Sequence, residues 1–190
     1  MKTTAKFTVL HRTLHWVMAL AMMILFATGF LRMTWMSKST VVSVLSETAE
    51  TKSLLKDQMV GIAKSIQAPM WEWHELFAHI MIITIVVRIV YMLTKGIRFP
   101  KPFGSGISVK ERLQGMVYVY FYAFVLVQGA TGIIMEKGLF QSFQDTAESI
   151  HKLGLYLFPI FIVLHLAGIV LAEHTTKKGI VSNMIGGDNS

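Results

Sequence analysis

Four apolar runs, each about 20 residues long, decide what this chain can fold into, because that is the length an α-helix needs to cross the hydrocarbon of a bilayer. They run from about Leu10 to Met33, Trp71 to Leu93, Leu113 to Met135 and Ile150 to Ala172. In lipid every backbone polar group must find its partner inside the chain, so such runs read as helices and not as loops or open strands. The composition agrees. Of 190 residues, 53% are hydrophobic and 15% charged, where a soluble domain carries about 25% charge. The expected class is an all-α integral membrane protein: one domain over residues 1–190, built as a four-transmembrane-helix bundle.

The formal net charge of +7 does not point to nucleic acid, because the basic residues sit at the ends of the apolar runs, where they report orientation. Lys2, Lys6 and Arg12, the loop residues Lys95, Arg98, Lys101, Lys110 and Arg112, and the tail residues Lys177 and Lys178 lie on one side. Arg32, Lys38, Lys52, Lys56, Lys64 and Lys137 lie on the other. There they are diluted by Glu47, Glu50 and Asp57 and by the acidic short loop with Glu136, Asp145 and Glu148. Both termini are therefore expected on the cytoplasmic side. The first run is long and no small-residue cleavage site follows it, so no cleavable signal peptide is expected.

The segment from Met36 to Met70 is too long for a turn. Leu55, Met59, Ile62 and Ile66 recur in it at helical spacing, which predicts an extra amphipathic helix on the outer surface, ended by Pro69 before the second span. It would act as a lid or as a docking surface. RFPKPFGSG (Arg98–Gly106) reads as a stiff turn followed by a flexible one.

Cysteine is absent, which excludes thiolate-held iron–sulfur clusters, covalent haem attachment and disulfides. Seven histidines remain as ligands. Ionisable residues inside a membrane are expensive and are functional candidates by default. Their placement here gives two couples at two depths: His15 with His165 towards the cytoplasmic side, and His74 with His151 towards the outer side. His151 and His165 are 14 residues apart (165 − 151). On an unbroken helix that is close to four turns, so both rings leave one face, separated by roughly 21 Å.

Each of these two histidines has a glycine three residues on, Gly154 and Gly168, while His15 and His74 have Ala19 and Ala78 four residues on. Small residues there leave room for a flat macrocycle beside the ligand; close helix packing would use them equally well. Arg88, 14 residues after His74 (88 − 74), is either the partner of a haem propionate at the His15/His165 level or a snorkelling cation near the span end. His11 shares a face with His15 but is shallower. His79 points away from His74, and His174 lies beside Glu173 at the boundary. A transition-metal site would gather three or four ligands at one depth. Two-by-two histidines suit bis-imidazole haem, which has no open iron position and so carries electrons.

LHWVM at Leu14–Met18, the H-x13-R of His74 to Arg88 and the H-x13-H of His151 to His165 together resemble the bacterial cytochrome b561 family, including di-haem cytochrome b subunits of membrane oxidoreductases. The resemblance spans all four runs. It implies a four-helix protein of the bacterial inner membrane with two haem b groups, one on His15 and His165 and one on His74 and His151, and quinone as a redox partner. The tail GIVSNMIGG (Gly179–Gly187) is similar to that of members paired with another redox protein. The segment between the first two runs is longer than in minimal members, which include a superoxide oxidase. The expected function is electron transfer between quinone and an outer-side partner such as a periplasmic cytochrome c or an oxidoreductase subunit, with a homo-oligomer also open. This makes the chain a component of an oxidoreductase, with no catalytic residues of its own. The alternatives are a self-contained superoxide:quinone oxidoreductase and a haem-free transporter or scaffold.

Overall fold

The computed structural model describes residues 7–95, 102–103, 106–175 and 178–187. Lys2, Lys6, Arg98, Lys101, Lys177 and most of RFPKPFGSG lie outside the described residues. Among the described residues every regular element is helical: α1 (Val9–Met33), α2 (Lys38–Glu47), α3 (Lys56–Thr94), α4 (Val109–Glu136), a 3₁₀ turn (Gln141–Phe143), α5 (Gln144–Lys152), α6 (Gly154–Thr175) and α7 (Ile180–Ile185). Four stretches are long and apolar enough to cross a membrane: α1, α3, α4 and the run Gln141–Thr175 that joins the 3₁₀ turn to α5 and α6. Large side chains such as Leu20, Ile83, Leu126 and Val163 are exposed along these helices. Water would disfavour such surfaces, whereas lipid tails are their natural solvent.

The described residues fall into two compact units. One holds residues 7–17 and the described residues from 83 to 187, the other Met18–Ile82. The second unit comprises most of α1, all of α2 and the first two thirds of α3. Its interior is methionine-rich, with Met18, Met22, Met59, Met70 and Met81 buried; flexible thioethers fill irregular gaps between helices well. Gln67 is 1% exposed and its amide donates to the carbonyl of Met36, tying the chain after α1 to α3. The Ser37 hydroxyl caps α2 by accepting from the Thr40 N–H at 3.1 Å.

Two expectations are corrected in this unit. Pro69 does not end a surface helix. It lies inside α3, which runs unbroken for 39 residues. Proline removes one backbone bond, but Pro69 sits on the exposed side, and the buried positions Met59, Ala63, Gln67 and Met70 continue past it at spacings of three and four. Burial of that stripe outweighs the lost bond. The apolar face read from Leu55, Met59, Ile62 and Ile66 is also rotated: only Met59 is buried, and Leu55, Ile62 and Ile66 are exposed. The true inward stripe uses a small residue, Ala63, and an amide, Gln67, neither of which registers as hydrophobic periodicity. The separate helix in this segment is α2, upstream of the predicted one.

In the first unit α4 opens with a capping box. The Ser108 hydroxyl accepts from the Glu111 N–H at 3.2 Å, and the Glu111 carboxylate accepts from the Ser108 N–H at 3.1 Å. The Tyr120 hydroxyl donates to the Leu157 carbonyl at 2.7 Å, pinning α4 to α6. The expected fourth span is interrupted. Leu153 separates α5 from α6, its N–H bonding to the Ile150 carbonyl in a tighter turn, and Pro159 lies six residues further on, inside α6. A shared face for His151 and His165 requires one unbroken helix. The two histidines stand instead on consecutive helices, with that tightened turn between them.

Candidate functional site

The N-terminal turns of α1 and the C-terminal half of α6 bring His15 and His165 together. Their ring centroids are 6.1 Å apart, with planes inclined at 37°. That is too far for the rings to bond directly. It leaves space for one metal ion at about 2 Å from a nitrogen of each. His165 stacks on Phe161 at 5.5 Å, Phe161 stacks on Tyr120 at 6.2 Å, and His15 meets Trp16 edge-on at 5.4 Å. This aromatic packing holds the two imidazoles with few rotamers open to them. His11, one turn before His15, lies against Phe7 and Tyr91 instead. Tyr91 in turn bonds the Thr8 hydroxyl at 2.7 Å, fastening the start of α1 to the end of α3.

Arg88 stands in this unit at 6% exposure. Its Nε donates to the Tyr122 hydroxyl at 3.3 Å, while Nη1 is buried with no hydrogen-bond partner. A snorkelling arginine carries its head to the interface; this one is enclosed with a donor unspent.

His151 also belongs to the first unit. Its Nδ1 lies 3.1 Å from the Thr131 hydroxyl and 3.2 Å from the Gln128 carbonyl, both on α4. Its ring edge rests on Gly132, where an added Cβ would stand 3.4 Å from Cε1. Gly154 faces the Gln128 side chain, which a Cβ would approach to 2.7 Å; nothing lies within 4 Å of a Cβ at Gly168. The space at Gly154 thus serves the contact between α4 and α6, and that at Gly168 is open.

His74 belongs to the second unit. Its Nδ1 lies 2.7 Å from the Thr28 hydroxyl of α1, and its ring meets Trp71 edge-on at 5.6 Å. Arg32, one turn after Thr28, sets its guanidinium 5.9 Å from the Trp71 ring centre. His79 behaves differently: its Nδ1 bonds the Glu75 carbonyl of its own helix at 2.7 Å. His174 is exposed beside Glu173.

A family model described as prokaryotic cytochrome b561 matches residues 6–187. The chain belongs to that family. No curated protein and no solved structure matches it. As a member of the cytochrome b561 family it is a membrane-bound b-type cytochrome of electron transfer and binds haem b.

The residues present fit such a group. Two imidazoles at metal-bridging separation and a buried cation with an unspent donor are what a haem iron and its propionates require. Among the described residues no cluster of three or more histidine, cysteine, aspartate or glutamate side chains could hold a bare metal ion. Thr28, Thr131 and Gly132 are site neighbours that the pattern of histidines does not point to. A signal existed: Ala27-Thr28-Gly29 and Ala130-Thr131-Gly132 repeat one tripeptide in the first and third spans, and each threonine meets a candidate histidine.

Proposed function

We propose that this cytochrome b561 carries two haem b groups and passes electrons across the bacterial inner membrane between quinone and an outer-side redox protein. The single observation that carries the reading is the His15–His165 couple at 6.1 Å, because two imidazoles at that separation would hold one haem iron between them. His74 and His151 are proposed as ligands of the second haem, paired by their common depth in the sequence and by the matching threonine contact that each ring makes. When bound, haem would supply a one-electron iron couple.

The protein's own residues hold and tune that couple. Aromatic packing around His15 and His165 fixes ring orientation. Arg88 would neutralise a haem propionate and so offset the cost of burying that carboxylate in a low-dielectric interior. The exposed apolar faces keep the helices in lipid. The basic N-terminus, second loop and tail support a cytoplasmic position for both termini. The outer partner is a cytochrome c or an oxidoreductase subunit, and a second copy of this chain is a further candidate for the exposed helix faces.

A reduced-minus-oxidised visible spectrum with a haem count per purified chain tests the reading. Two haems are expected; a colourless protein ends it. A self-contained superoxide:quinone oxidoreductase is the competing assignment, and it is disfavoured by the helical segment between α1 and the membrane part of α3. Purified protein given superoxide and a quinone analogue, with no other protein, is expected not to reduce the quinone.

A further inference from the structure

We propose that Thr28 and Thr131 are positioning residues that lock His74 and His151 into the tautomer able to bind iron; the inference rests on the proposed ligand role of those two histidines. Each threonine has one hydroxyl proton to give. Thr28 Oγ1 lies 2.8 Å from the Ile24 carbonyl and 3.0 Å from that of Leu25. Thr131 Oγ1 lies 2.7 Å from the Val127 carbonyl and 3.2 Å from that of Gln128. Back-bonding of this kind commits the proton to the preceding turn of the same helix. What remains towards the histidine is an oxygen lone pair.

The imidazole must therefore be the donor. His74 Nδ1 at 2.7 Å and His151 Nδ1 at 3.1 Å each carry the ring proton and give it to a threonine. For His151 the Gln128 carbonyl, 3.2 Å from the same nitrogen, can likewise only accept. With the proton on Nδ1, the basic lone pair belongs to Nε2, the nitrogen that then binds metal. His79, which is not a proposed ligand, satisfies its Nδ1 within its own helix. The two proposed ligands instead take their acceptor from a neighbouring helix, so ring orientation and helix packing are set together.

A hydrogen bond from Nδ1–H makes the opposite nitrogen a stronger donor and favours the ferric state. Removing the acceptor should raise the midpoint potential of the haem concerned. The test uses full-length protein with haem loaded in membranes: Thr28→Val and Thr131→Val, each with its serine counterpart, followed by redox titration and low-temperature EPR of the ferric haems.

Both valine variants are expected to keep two haems. Both should shift the potential of the same one of the two upward, with a changed low-spin EPR signal, and serine should restore the wild-type values. In Thr131→Val the Gln128 carbonyl still accepts, so that shift is partial. Should a valine variant lose haem, recovery of the count by serine supports the proposal and failure of serine to recover it overturns it. Valine variants with two haems and unaltered potentials and EPR also overturn it. Two haems persisting in His74→Ala and His151→Ala would mean instead that the ligand assignment had failed.

Discussion

His15 of α1 and His165 of α6 lie with ring centres 6.1 Å apart, although 150 residues (165 − 15) separate them in the chain. Either one replaced by alanine should therefore abolish the same haem. His15→Ala, His165→Ala and the double variant are each expected to hold one haem where the wild type holds two, read by a pyridine haemochrome count against protein concentration.

Arg88 gives a second expectation. Breaking a buried ion pair from one side costs about 3–5 kcal/mol, and about 1.4 kcal/mol is a factor of ten in affinity. Arg88→Gln should weaken retention of the haem on His15 and His165 by at least a hundredfold by this reckoning, whereas Arg88→Lys, keeping the charge, should weaken it far less. Titration of apo-protein with haem measures both.

Gln67 is a stability residue. Its amide is the donor to the Met36 carbonyl and the side chain is 1% exposed. Gln67→Leu leaves that carbonyl without this donor at a cost of about 1–3 kcal/mol. The thermal transition of the purified protein should fall by several degrees, with haem content unchanged at low temperature.

The tail is held by one carboxylate and one indole. Glu173 accepts from the Gly179 N–H at 2.6 Å and the Val181 N–H at 3.2 Å, and the Trp16 indole donates to the Met184 carbonyl at 3.2 Å. Gly187, at φ +75°, fits against Arg12, whose Nη1 would lie 2.5 Å from a Cβ there. Glu173→Gln removes the charge from both caps and should speed tryptic cleavage after Lys178 severalfold. Trp16→Phe, which keeps an aromatic ring but loses the N–H, should do so to a smaller degree.

Much of this architecture is written in period and length. The spans are legible because hydrocarbon thickness imposes a residue count that composition alone reveals. His15 and His165 stand out because a polar ring in an apolar run needs a reason. Pro69 misled because helix propensity is local, while the stripe from Met59 to Met70 that carries α3 through it is a tertiary fact. Leu153, an ordinary residue, gives no sign of the turn it makes. Thr28 and Thr131 were hidden differently. Threonine is unremarkable in a membrane helix, and its role emerges only once the histidine that meets it is known.

The length of α3 has a practical consequence. Thirty-nine residues of helix rise roughly 58 Å, about twice the hydrocarbon thickness of a bilayer. The turns near Lys56 are therefore surplus to a single crossing. For a 21.4 kDa protein that surplus helix is a place to fuse a fiducial for single-particle imaging.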